Sequence, residues 1–148
     1  MKTLPSLIIA ADRGHFVAYE PNAEGTLIAI RADDIPEGLN KLSEQVTDKA
    51  GAFPVGGATG RGTTTATAER LTLEAEIEMQ SFRKIAARIE SLVKRKSPKE
   101  WGFAAPSEIN GAILDGVDKG IKESLKVNLR LDLVNVPTPQ LRRFFSEA

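Results

Sequence analysis

The chain has 148 residues with 20 Lys and Arg against 20 Asp and Glu, a formal charge of zero that gives no global pull toward nucleic acid or an anionic membrane. It has no cysteine, which excludes disulfides, thiol catalysis and cysteine-ligated metal. With 41% hydrophobic and 27% charged residues, the composition fits a globular chain of a length that one domain, 1–148, accommodates.

Leu4 to Ala11 is an almost continuous apolar run, which predicts a central strand covered on both faces. Pro5 interrupts it and Asp12-Arg13 close it, so it is too short for a signal peptide or a membrane span, and the expected compartment is the cytoplasm. Asp12-Arg13-Gly14 is a turn signal, His15 to Glu20 a second strand, and Pro21 to Gly25 a hairpin connection into a third strand, Thr26 to Arg31. Leu39, Leu42 and Val46 give a short helix over 37–46.

A glycine-rich loop is expected at 47–68, with Gly51, Gly56, Gly57, Gly60 and Gly62, five of the 12 glycines in the chain. Behind it, Leu73, Ile77, Phe82, Ile85, Ile89 and Leu92/Val93 recur at helical spacing, predicting a helix over 69–96 with these residues buried together. Glu78, Arg83, Lys84, Arg88, Glu90 and Lys94 form its wet face. Ser97-Pro98 stops that helix. Trp101 to Ala105 is a fourth strand, with Trp101 and Phe103 read as core rather than as a base-stacking platform.

Ser107 is the expected N-cap of one further helix with Ile109, Ile113, Val117 and Ile121 on one face. Gly111, Gly116 and Gly120 within it, each costing about 1 kcal/mol against alanine, imply close approach to a neighbour. Val127 to Leu133 alternates apolar with polar and reads as an edge strand. Thr138-Pro139 starts a last helix, threonine as cap and proline at the first helical position. The order β-β-β-α-β-α-β-α makes an α/β fold with a mixed five-stranded sheet and packed helices.

Four stretches, SLIIAADRGHFVAYE, TDKAGAF with the glycine-rich loop, WGFAAPSEINGAIL and DLVNVPTPQLRRFF, together resemble the bacterial host-attachment protein family, a group related to the middle domain of class-I peptide release factors. The resemblance runs from residue 6 to residue 145. It implies a ribonuclease-H-like or translation-component type of fold and picks out Asp12, Arg13, Asp48, Gly51, Pro106 and Asp132 as family-motif residues. The sequence departs from the family in the middle: Asp48-Lys49-Ala50-Gly51-Ala52 lacks the usual proline and last arginine, and His15 is the only histidine. Where the release factors carry Gly-Gly-Gln, this chain has Gly56-Gly57-Ala58, and alanine has no amide to position a water.

Three candidate sites follow. Backbone N–H groups at Gly56, Gly57, Ala58 and Gly60, with Arg61, could meet RNA phosphates; the near match to a phosphate-binding loop, Gly57 to Gly62 then Thr63, lacks its lysine. Asp12 ends the first strand, where a metal-dependent nuclease keeps an acid; Asp115, Asp118 and Asp132 are candidate partners without recognisable spacing, and capping of a turn is the competing role. Lys94, Arg95, Lys96 and Lys99 make a basic patch, which the helix dipole also accounts for. The expected function is a non-enzymatic interaction or regulatory protein contacting ribosome or RNA, with a peptidyl-tRNA or phosphodiester hydrolase as the alternative. No catalytic residue, metal or cofactor is assigned, no membrane partner is expected, and oligomeric state is not legible.

Overall fold

The computed structural model describes residues 4–36 and 60–147. Five strands form one open mixed sheet: β1 (Leu7–Ala11), β2 (His15–Pro21), β3 (Leu27–Asp34), β4 (Trp101–Ala104) and β5 (Leu125–Leu129), in the order β3-β2-β1-β4-β5. The helices among the described residues are α1 (Gly60–Lys96), α2 (Ser107–Asp115), α3 (Lys119–Lys122) and α4 (Thr138–Glu147). β1 pairs antiparallel with β2 and parallel with β4; β2–β3 is antiparallel and β4–β5 parallel. The expected α/β class and mixed sheet are therefore present, with β1 central and β5 at an edge.

The strand alternation sorts the core into two layers. Leu7, Ile9 and Ala11 of β1, Phe16 and Ala18 of β2, and Trp101 and Phe103 of β4 pack with Phe82, Ile85, Ile89, Leu92 and Val93 of α1 and with Ile109 and Ile113 of α2. Ile8, Tyr19, Ala104 and Val127 point through the other face onto Leu133, Leu141 and Phe145. A register shift between Trp101 and Gly102 pairs Trp101 with Leu125 but Gly102 with Val127. That bulge turns Val127 toward α4 while Leu125 stays on the α1 side.

Several boundaries differ from the sequence reading. α1 begins at Gly60, not at 69: once a long helix is nucleated each further residue adds a hydrogen bond, and Gly60 and Gly62 disfavour it by only about 1 kcal/mol each. Positions 60–68, read as loop, are therefore helical, while the expected helix at 37–46 and the rest of the glycine-rich stretch lie outside the described residues. Leu73 and Ile77 are only half-buried, because α1 has by then passed the end of the sheet. At its other end α1 stops where predicted: Ser97 has φ 46°, the left-handed region, and its N–H bonds Val93 O at 2.7 Å.

The single helix expected after β4 is two. Gly116 closes α2 against α1, where a Cβ would stand 3.2 Å from Ala86 Cβ, and Asp118 then caps α3 by accepting from Gly120 N–H. Gly111 has no such neighbour, so close approach explains Gly116 and not Gly111. Ser107 makes no capping bond; the carbonyl of Pro106 accepts from Ile109 and Asn110 N–H. One position also separates expectation from structure at α4, where Pro137 O accepts the first helical bond from Leu141 N–H and Thr138 is already helical. β5 ends at Leu129 rather than Leu133, since the chain must leave the sheet to bring Leu133 under α4.

Candidate functional site

The turn leaving β1 gathers a dense set of polar contacts. Asp12 Oδ1 accepts from Gly14 N–H at 2.8 Å and lies 2.8 Å from His15 Nδ1, with Oδ2 at 3.1 Å from the same nitrogen. Asp12 N–H donates to His15 O at 3.0 Å. Arg13 Nε donates to Glu78 Oε1 of α1 at 2.7 Å, and the buried hydroxyl of Ser81 donates to Arg13 O at 2.7 Å. Gly14 O accepts from Ile35 N–H at the end of β3. The small turn residues let the chain reverse within hydrogen-bond reach of a carboxylate that accepts from its own backbone two residues on. Both oxygens of Asp12 are thus committed to the turn and to His15, whose side chain is 42% exposed. The carboxylate clamps the turn between β1 and β2, and Arg13 ties that turn to α1.

Asp115, Asp118 and Asp132 are not brought to it. Asp118 caps α3, Asp115 ends α2, and Asp132 lies exposed beyond β5 instead of on the strand as expected. Among the described residues no group of three or more His, Asp and Glu could hold a metal ion.

The opposite edge of the sheet, where β1, β4 and β5 begin and β2 ends, collects positive charge. Lys94, Arg95, Lys96 and Lys99 are exposed there at the end of α1. Lys96 Nζ pairs with Glu20 Oε1 at 2.9 Å, whereas Lys94, Arg95 and Lys99 have no ion-pair partner among the described residues. Lys119 and Lys122 arrive on α3, which is held to this edge by Glu90 Oε1 accepting from Asp118 N–H (2.7 Å) and by Ile121 O accepting from Trp101 Nε1 (2.9 Å). Lys126 pairs with Glu100 at 3.1 Å. Arg142 of α4 reaches the β2–β3 hairpin at the same edge, its guanidinium 3.1 Å from where a Gly25 Cβ would stand. Glu24, Glu100, Asp118 and Glu123 are exposed carboxylates at the same end, so the edge is basic without being purely so.

A family model described as "Protein required for attachment to host cells" matches residues 7–144. The chain belongs to that family. No curated protein matches it in sequence.

Of the host-attachment motif positions, Asp12, Arg13 and Pro106 share one end of the sheet, the end where β1 and β4 finish. Asp132 follows β5, which runs parallel to β4 and finishes at the same end, while Asp48 and Gly51 lie outside the described residues. So do Gly56, Gly57 and Ala58 of the loop, while Gly60 and Arg61 belong to the first turn of α1. The sequence reading missed three residues. Glu78 and Ser81 anchor the Asp12 turn from α1, and no periodicity could reveal a contact across more than sixty positions. Asn110 is fully buried and donates from Nδ2 to Asn128 Oδ1 at 2.8 Å, Leu129 O at 3.1 Å and Ala105 O at 3.5 Å. Its Oδ1 has no partner. A polar residue next to Ile109 in an apolar stripe was the available signal. Its place is structural: it ties α2 to the ends of β4 and β5.

Among the described residues no helix is long and apolar enough to cross a membrane.

Proposed function

We propose that this host-attachment family protein is a non-enzymatic interaction protein of the cytoplasm that contacts RNA, on the ribosome or free, through the basic edge at the end of α1. The observation that carries the reading is the set of exposed Lys94, Arg95 and Lys99, without an ion-pair partner among the described residues, joined at one edge by Lys119 and Lys122. Side chains without a carboxylate partner release counterions when they meet phosphate, and this term dominates non-specific RNA affinity. The helix dipole accounts for bases in the last turn of α1 but not for those that α3 adds. The reading treats residues 1–148 as one domain of ribonuclease-H-like or translation-component type, akin to the release-factor middle domain. The order β3-β2-β1-β4-β5, antiparallel in one half and parallel in the other, supports that kinship.

The loop contact through Arg61 becomes a separate question, because Arg61 and Lys94 stand at opposite ends of α1, about 50 Å apart at 1.5 Å per residue. The hydrolase reading is the weaker one, since both oxygens of Asp12 are engaged within the turn.

Co-sedimentation with ribosomes and titration of a labelled single-stranded RNA, each at low and high salt, test the proposal. Lys94→Ala/Arg95→Ala/Lys99→Ala is expected to weaken binding and to flatten the salt slope by about 0.7 per lost phosphate contact. Arg61→Ala tests the loop separately. Binding and slope unchanged in the triple variant would overturn the basic-edge reading.

A further inference from the structure

The two edges of the sheet are built differently. β5 has only 5 residues and carries Lys126, and a short strand bearing lysine resists pairing with another chain. β3 is the longest strand, with 8 residues and neither lysine nor proline between Leu27 and Asp34. It pairs with β2 on one side and with no strand among the described residues on the other. Ile28 and Ile30 stand 48% and 36% exposed on it.

The register with β2 sorts β3 by face. Arg31 and Asp33 lie opposite Ala18 and Phe16, and Ile28 opposite Glu20, whose carboxylate meets Lys96 of α1, so these side chains stand on the α1 side. Arg31 and Asp33 pair with each other there. Ala29 and Ala32 lie opposite Tyr19 and Val17 of the α4 layer, and Leu27 belongs to that layer too. Asp34 lies opposite His15, which alternation along β2 puts on the same α4 side. Asp34 is exposed and has no ion-pair partner among the described residues. At the other end of β3, and on this same side of the sheet, Arg142 of α4 holds its guanidinium against Gly25 of the hairpin. It too has no ion-pair partner among the described residues.

An edge with an unengaged carboxylate at one end and an unengaged guanidinium at the other is complementary to its own reverse. We propose that β3 pairs antiparallel with β3 of a second copy of this chain, about a two-fold axis perpendicular to the sheet at the Ile30–Arg31 step. Leu27 then lies opposite the partner subunit's Asp34 and Ala29 opposite the partner subunit's Ala32, and each contact occurs twice, as a two-fold interface requires. The bulge at Ile30 permits this register, because it leaves Leu27, Ala29, Ala32 and Asp34 on one side of the sheet. The partner subunit's Asp34 comes within reach of Arg142, while Ile30 of both copies flanks the axis. The Arg31–Asp33 pair stays intact within each strand. Main-chain hydrogen bonds along the joined edges supply affinity, and Arg142 with the partner subunit's Asp34 fixes the register. None of the lysines at the end of α1 or on α3 is used, so this pairing stands apart from the RNA proposal.

The chain has no cysteine, which makes a single introduced thiol a clean probe. Ile30→Cys places two sulfurs beside the axis and is expected to form a covalent dimer on mild oxidation, while Ala112→Cys, exposed on α2, stays monomeric. By sedimentation velocity the unmodified chain is expected to dimerise as its concentration rises. Arg142→Asp or Asp34→Arg alone sets like charges against each other and is expected to weaken the dimer about tenfold, and the two together to restore it. Both side chains are exposed, so circular dichroism should be unchanged. A monomer at every concentration, as would result if residues 37–59 of the same chain or a strand of another protein took this edge, overturns the proposal. So does a dimer indifferent to both reversals, or Ile30→Cys cross-linking no faster than Ala112→Cys.

Discussion

Gly102 of β4 lies directly beneath the ring of Phe145 of α4: a Cβ there would stand 2.7 Å from Cε1 and 2.9 Å from Cδ1. Only the missing side chain lets α4 seat on the sheet, and Phe145, 2% exposed, closes the second core layer. Gly102→Ala is therefore expected to destabilise by about 1–3 kcal/mol through overpacking. Phe145→Leu in the same chain should recover part of that loss by withdrawing the ring atoms. Urea unfolding of the two single variants and the double variant measures the coupling; strictly additive effects would mean that the two residues do not compete for the same space.

α1 should read as two helices energetically. Ile85 is fully buried against β1 and β4, and Leu71 is mostly exposed. Ile85→Ala is expected to cost about 2–5 kcal/mol, whereas Leu71→Ala should stay within about 0.5 kcal/mol of the parent. Urea denaturation of the two variants decides it. A large loss at Leu71 would place the projecting segment in the folded core.

In the turn after β1, Asp12 supplies the acceptor for Gly14 N–H. Asp12→Asn keeps an oxygen for Gly14 N–H and should retain stability, while Asp12→Ala should lose about 1 kcal/mol with that hydrogen bond. Thermal unfolding compares them. If Asp12 were instead a catalytic acid or metal ligand, Asp12→Asn would be the variant that abolishes activity while leaving stability intact.

Tyr19 supplies a pH prediction. Burial raises its phenol above the ordinary 10.0 because desolvation disfavours the phenolate. The folded state then holds a proton that the unfolded chain releases above pH 10, so this contribution to stability is present below that pH and falls as pH rises toward the folded value. It is the only tyrosine in the chain, so its ultraviolet absorbance titrates alone and should shift upward in the folded protein. Tyr19→Phe should lose less stability than the parent above pH 10. Equal losses in both would mean that the phenol is solvated.

Sequence alone determined what short-range rules govern. The apolar run at Leu4 to Ala11 demanded a strand covered on both faces, the spacing of Phe82, Ile85 and Ile89 demanded a helix with a buried stripe, and Pro98 demanded that the helix end. The ordered motifs placed the chain in its family. Tertiary structure decided the rest, because each remaining feature joins residues distant in the chain. Trp101 draws α3 and its lysines to the end of α1, Glu78 and Ser81 reach across to Arg13, and Gly102 is fixed by Phe145. Periodicity ran on through Leu73 and Ile77, yet their burial fell short because a helical repeat continues past the sheet while the surface it covers does not. A pattern in sequence states which face of an element is apolar; only the folded sheet, through its finite length and strand order, sets where that face finds a partner.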